Sequence, residues 1–413
     1  MFSKIKKFLN KNFHSLSYRD YRYFFFGQLV SLIGTWVQVM AQAWLVYTIT
    51  NSPLKLGIVS AMQFLPAMLF SIFAGVLVDK VSKRKILIWT QVVSMIQALT
   101  LFVLVYTGVV TYWHIVLLAF ILGCNNSIDM PARQSYVMEL VGRDDVVNAL
   151  GLNSAIFNTA RIVGPAIAGI LMTGIGISWC FLINGISFIA VIICLLLITH
   201  KNETSKVEKK YESLLSQVYD GLIYIYKTPL LLKTIAIILF ITILSFNYNV
   251  LIPVFAKTTL GLGEKGFGVL LSSLGIGSLI GAISVSVLSS SEPKPRTLIV
   301  SSFFLGLSLF VLGMTRNIYY SSLLMVLCGI SNLWFFTVAN SLLQLNSRDQ
   351  YRGRVMGVYT MAFAGATPVG NLIAGYVAEE AGAAITFTSM GVIISFAMLT
   401  LFFIRYRTIK SLH

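Results

Sequence analysis

The chain has 413 residues, of which 57% are hydrophobic and 11% charged, with a mean hydropathy of +0.82. Soluble globular proteins carry about 25% charged residues, so the composition excludes an ordinary soluble domain and places the chain in lipid. The net charge of +16 would suit nucleic acid, but the cations sit between apolar runs rather than on one face. Anionic lipid headgroups are therefore the expected counter-charge.

Residues 1–21 are basic and amphipathic and lack a cleavable apolar core, so they are expected to lie on the inner membrane surface. Twelve membrane-spanning helices are then predicted near 22–50, 54–79, 86–108, 113–140, 148–173, 178–199, 230–256, 265–289, 297–315, 318–345, 352–377 and 384–405. Each reaches the ~20 residues a span needs. The expected organisation is an N-terminal six-helix bundle over 22–199, a cytoplasmic connector over 200–229, a C-terminal six-helix bundle over 230–405 and a cytoplasmic tail over 406–413. The connector opens as a polar hinge and continues from Tyr211 with apolar residues at helical spacing, as an interfacial helix would. Of the 31 Lys and Arg residues, 26 fall on the side shared by both termini and four on the other; Arg161 lies inside the fifth span. Cations retained on one side set topology, so both termini are expected in the cytoplasm of a cell membrane.

The halves read as tandem repeats. Gly164-Pro-Ala-Ile-Ala-Gly169 recurs 206 residues later as Gly370-Asn-Leu-Ile-Ala-Gly375, and Gly176 recurs as Gly382. Parallel repeats around a central site are one transporter architecture. In the second copy Ser290 stands where Asp79 would recur, and Pro131-Ala-Arg133 has no clear counterpart.

Enzymatic chemistry is not expected. Cys124, Cys180, Cys194 and Cys328 lie in apolar stretches without metal or redox spacing, and the four histidines form no catalytic or metal set. No Gly-x-x-x-x-Gly-Lys-Ser/Thr loop occurs, so nucleotide-driven pumping by this chain alone is excluded. No cofactor is implied.

Where the second span ends, the run Gly75-Val-Leu-Val-Asp79-Lys80-Val-Ser82-Lys83-Arg84-Lys85 places one carboxylate before a cation cluster. It resembles the loop between helices two and three of major facilitator superfamily transporters, with Ser82 where that pattern has Gly. Gly164-Pro165 resembles the helix-five signature associated with exporters. The helix-four Arg often tied to proton coupling is missing, since Ala119 precedes Gly123. Asp129-Met-Pro131-Ala-Arg133-Gln134, Glu139-Leu-Val-Gly-Arg143, Asn153, Phe157-Asn158, Arg161, Asn184, Asp220-Gly-Leu-x-Tyr and Arg352-Gly-Arg354 resemble the branch of enterobactin exporters and macrolide efflux pumps. The resemblance implies an all-α membrane fold of two six-helix bundles. It also implies that Gly75, Asp79, Lys83, Arg84 and Lys85 form a conformational loop, with Asp79 latching helix two against helix eleven.

Asp129 and Arg161 stand at similar depth in the fourth and fifth spans. They are the expected coupling pair, with a static interhelical pair as the equal alternative. Arg133 and Glu139, nearer the cytoplasmic end, are expected gate residues. Pro131 is expected to kink its helix, and Gly164, Pro165 and Gly169 to let the fifth span pack closely. Helices one, four, seven and ten line the cavity in the superfamily. If the resemblance holds, Gln38, Gln42, Asn126, Asn247, Asn249, Asn332 and Trp334 converge there, joined by Asn158 of the fifth span. The expected function is secondary active export of small amphipathic molecules by a monomer, with proton antiport. The alternatives are a lipid or lysolipid flippase on the same fold, and a non-transporting sensor or scaffold.

Overall fold

The computed structural model describes residues 14–199, 214–288 and 294–410. The segment before His14, the polar opening of the connector and Ser290 lie outside them, as do the side chains of Gly75 and Asp79. All regular structure among the described residues is helical. In hydrocarbon, only internally hydrogen-bonded backbone survives, and a helix achieves this within one segment.

The first six spans are α1 (Arg19–Thr50), α2 (Pro53–Lys80), α3 (Lys83–Tyr106), α4 (Tyr112–Gly142), α5 (Asn148–Gly174) and α6 (Ser178–Leu197). The connector helix is α7 (Leu214–Lys227). Six more spans follow: α8 (Pro229–Thr259), α9 (Glu264–Leu288), α10 (Pro295–Met314), α11 (Ile318–Leu345), α12 (Asp349–Ala381) and α13 (Ala383–Lys410). Twelve of these helices are long and apolar enough to cross a membrane, close to the predicted positions. Between α4 and α5 the chain turns at Gly142, whose φ of 75° favours a residue without Cβ.

α8 is broken: a regular helix ends at Ser245, restarts at Tyr248 and finishes as a π-helix over Phe255–Thr259. Pro253, which has no N–H to donate, stands two residues before that wide ending.

Contacts group the chain into two units, Met1–Leu45 with Leu69–Glu208, and Val46–Met68 with Lys209–His413. The first half of α2 therefore belongs with the second-half helices. Within the first unit, a Cβ on Gly164 would lie 2.4 Å from the Trp36 Cβ, so α5 rides directly on α1. Within the second, a Cβ on Gly370 would lie 2.6 Å from the Ile243 carbonyl, so α12 rides on α8 in the same way. Gly176 and Gly382, also 206 residues apart, both have φ in the left-handed region, at 102° and 82°. The sequence repeat is thus a repeat of packing and of turn geometry.

Candidate functional site

Asp129 sits near the middle of α4 and is 7% exposed. Its Oδ1 accepts from the Thr90 hydroxyl at 2.6 Å and from Gln91 Nε2 at 3.0 Å, both on α3. Its Oδ2 accepts from the Arg133 guanidinium, with Nε at 3.0 Å, one turn along the same helix. The cation that meets Asp129 is Arg133. Arg133, read as a gate residue, holds Asp129, because an i,i+4 pair on one helix meets without any tertiary adjustment. Arg161 is half-buried in α5. Next to this cluster, Asn125 donates to the Thr90 carbonyl at 2.9 Å and to the Ser94 hydroxyl at 2.8 Å.

Gln38 is 3% exposed and is engaged inside the first half rather than presented to a cavity. Its Nε2 donates to Gln97 Oε1 at 2.9 Å on α3, and its Oε1 accepts from Asn184 Nδ2 at 2.7 Å on α6. An amide offers both donor and acceptor, so three of them close an interhelical chain. Gln42 is buried one turn further on. Asn126 is exposed on α4, while Asn125 takes the buried place. Asn158 is half-buried and its amide donates to the Ser154 carbonyl at 2.8 Å, among exposed Ser154, Ala155 and Thr159 on α5.

In the second half Asn247 caps the break in α8. It is 1% exposed, donates to the Ile243 carbonyl at 2.8 Å and leaves its Oδ1 without a protein partner. Asn332 on α11 is 8% exposed, also with an unpartnered Oδ1. Asn249 is half-buried. The Trp334 indole donates to Ser284 Oγ at 2.8 Å on α9, which fixes the ring between two helices. The aromatic cluster here is Phe246, Phe336 and Phe363, with centroids 5.0–5.7 Å apart and edge-to-face contacts.

Two cations of the α2–α3 loop are anchored. Lys83 pairs with Glu139 at 2.7 Å, which ties the loop to the end of α4. Arg84 donates to the Leu195 and Leu196 carbonyls at 2.7 and 2.9 Å. These are orphan acceptors at the C-terminal end of α6, where a cation also meets the negative end of the helix dipole. Lys85 is exposed.

Within the second unit, the α1–α2 turn meets α8 and α12. Glu379 accepts from the Ser52 hydroxyl at 2.7 Å and from the Leu54 amide at 3.1 Å, so it caps the N-terminus of α2. Lys257 donates to Asn51 Oδ1 at 3.0 Å and lies 5.0 Å from the Tyr47 ring centroid. Asn51 holds a left-handed φ of 48°. Gly57 and Gly375 let the backbones of α2 and α12 nearly touch, since a Cβ on Gly57 would lie 2.5 Å from the Asn371 carbonyl.

Twelve apolar spans, a two-fold repeat, and a buried carboxylate and amides between helices describe a membrane transporter. The profile of the transmembrane secretion effectors, a major facilitator group, matches residues 11–413. The chain belongs to this family. It is 28% identical to the staphyloferrin A transporter of Staphylococcus aureus, over 90% of this chain and 92% of that one. It is 27% identical to the multidrug efflux pump Tap of Mycolicibacterium fortuitum, over 88% and 90%. Macrolide efflux protein A of Streptococcus pyogenes is 22% identical, over 86% and 88%. The fold is that of the crystal structure of the nucleoside transporter NupG, with a TM-score of 0.74 at 12% identity over 93% of this chain and 99% of that one.

This secretion-effector chain is therefore a multi-pass membrane transporter. Sequence reading missed Thr90, Gln91, Gln97, Glu379 and Lys257. The first three are uncharged and carry no motif. A carboxylate on an apolar span is conspicuous, however, and Glu379 in the eleventh span could have been flagged on that ground alone.

Proposed function

We propose that this transporter exports small amphipathic molecules by secondary active transport, with protons moving the opposite way through Asp129. The observation that carries the reading is a carboxylate in mid-span, held by Thr90, Gln91 and Arg133. An ionisable group at that depth costs about 2.5–3.5 kcal/mol on insertion scales and persists where it has a task. Relatives named for a siderophore, for multiple drugs and for macrolides support small amphipathic cargo. Candidate cargo contacts are Asn126, Asn158, Asn247, Asn249 and Asn332, with Arg161 as the nearby fixed charge. Both termini lie in the cytoplasm of a bacterial cell membrane, the chain works as a monomer, and anionic lipid is its surface partner. Access alternates: the Glu379 and Lys257 contacts close one end of α2, and the Asp79 loop latches the other end in the opposite state.

The test is drug and dye accumulation in everted vesicles under an imposed pH gradient. Wild type accumulates substrate, while Asp129→Asn loses gradient-driven accumulation and retains substrate counterflow. Undiminished gradient-driven accumulation by the variant would leave Asp129 a purely structural group.

A further inference from the structure

Where the connector enters the second half, the sequence changes from polar to amphipathic, and α7 docks by one side only. Asp220 pairs with Arg354 at 2.9 Å, the Tyr224 ring stacks on Tyr351 with centroids 4.3 Å apart, and the Tyr224 hydroxyl accepts from the Arg348 amide at 3.2 Å. The other side of α7 is apolar and open, with Leu222 47% and Tyr226 75% exposed. Behind it lies a cavity of about 360 Å³ walled by Leu222, Ile223, Tyr226, Leu232, Ile235 and Val358. Almost no polar surface faces it, so a hydrogen-bonding ligand would lose its water without compensation. Hydrocarbon would lose nothing.

Two exposed lysines stand on the same two helices: Lys227 lies one turn after the wall residue Ile223, and Lys233 lies between the wall residues Leu232 and Ile235 in sequence. The described carboxylate nearest in sequence, Asp220, is already matched to Arg354. An apolar slot at the start of a membrane span, on helices that also carry two exposed lysines, complements one molecule in two parts. We propose that this groove holds an acyl chain of an anionic phospholipid, with its phosphate against Lys227 and Lys233. An amphipathic helix beside a span lies at the boundary between headgroups and acyl chains, where such a lipid is at hand. This lipid secures α7, and through Asp220 and Tyr224 the first two turns of α12. The proposal rests on the general reading of anionic lipid as a partner and gives it a site.

The experiment is native mass spectrometry of the full chain in detergent, delipidated and then offered phosphatidylglycerol or phosphatidylcholine. Wild type retains phosphatidylglycerol over phosphatidylcholine. The exposed double substitution Lys227→Gln with Lys233→Gln lowers that preference by roughly thirtyfold. Leu222→Trp, which fills the slot from its open side, lowers retention of both lipids. Equal retention of the two lipids by wild type overturns the proposal. So does a preference that survives both sets of substitutions; phosphatidylglycerol then still binds, but elsewhere on the chain. A dimer dispersed by Leu222→Trp would instead assign the groove to a second copy. No transport is measured, so failure of the exporter reading leaves this result standing.

Discussion

The two halves share a backbone plan and are held together by different chemistry. In the first half, buried polar side chains link the helices: Gln38 with Gln97 and Asn184, Asn125 with Thr90 and Ser94, and Asp129 with Thr90 and Gln91. In the second half, glycines do so. A Cβ on Gly277 would lie 2.0 Å from the Val326 carbonyl, one on Gly329 2.2 Å from that of Leu274, and one on Gly391 2.3 Å from the Phe310 amide. At the repeat offset of 206, Gln38 becomes Leu244 and Asn184 becomes Met390, both apolar. Lipid supplies no hydrophobic drive between helices, so they associate by hydrogen bonds or by close backbone approach. Each half has taken mainly one route. The polar route also leaves ionisable and hydrogen-bonding groups inside the bundle, and Asp129 lies in the half that took it.

The entry segments repeat the contrast. Tyr18 and Tyr224 are 206 residues apart, and each docks on the helix start two hairpins later. Tyr18 donates to Asp145 at 2.7 Å, beside His14 at 3.1 Å, whereas Tyr224 stacks on Tyr351 beside the Asp220–Arg354 pair. One clamp is built from titratable hydrogen bonds, the other from a stacked ring pair and an ion pair.

The glycine contacts give the most severe prediction. Gly277→Val overlaps the α11 backbone and is expected to abolish monodisperse protein on size exclusion, since overpacking a tight contact costs about 1–3 kcal/mol or more. Gly174→Val, where nothing lies within 4 Å of the added Cβ, is expected to leave the yield unchanged. Equal yields would mean that the second half is not held at its glycines.

The amide chain is expected to respond less, and non-additively. Asn184→Leu leaves the Gln38 oxygen unpaired and should cost about 1 kcal/mol in detergent unfolding, given the modest value of such bonds in membranes. Gln38→Leu, Gln97→Leu and Asn184→Met together remove the whole chain and leave no orphan. Their combined cost should fall below the sum of the single costs. Strict additivity would show that the three amides do not act as one network.

Of the two clamps, the second should be the more costly to cut. Arg354→Leu strands Asp220, which is only partly exposed, and should loosen α7. Hydrogen exchange over 219–227 reports this, with an expected cost of at most about 1 kcal/mol after solvent screening. The smallest effect is acid release of the first clamp. The Tyr18 hydroxyl, and then His14, hold the Asp145 carboxyl below its ordinary range. A depressed native pKa adds stability above the unfolded-state value and loses it as pH falls through the native value. Exchange over 14–21 should therefore accelerate only in strong acid, and Tyr18→Phe should move that onset to higher pH. An onset unmoved by Tyr18→Phe would remove the hydroxyl as its cause.

Much of the fold was legible because the bilayer leaves few choices. A length of about 20 apolar residues means a span, and glycines at a fixed offset mark the repeat and its turns. The loop cations and the Asp129 carboxylate were visible as anomalies in an apolar chain. Partner identity was not. Helical spacing put Asp129 and Arg161 at one depth, but depth says nothing of azimuth, and the carboxylate faces α3 with Arg133 beside it. Gln38 was likewise read toward a cavity, yet the rotation of α1 turns it toward α3 and α6.

The sequence by itself determined the lipid environment, the twelve spans, the tandem repeat and the family, since all of these follow from hydropathy, charge spacing and short local motifs. Only the tertiary structure decided which buried polar group meets which, that α8 breaks at Asn247 and that Glu379 caps α2. Those outcomes depend on how each helix is turned about its axis and where its neighbours stop, and short-range pattern carries neither.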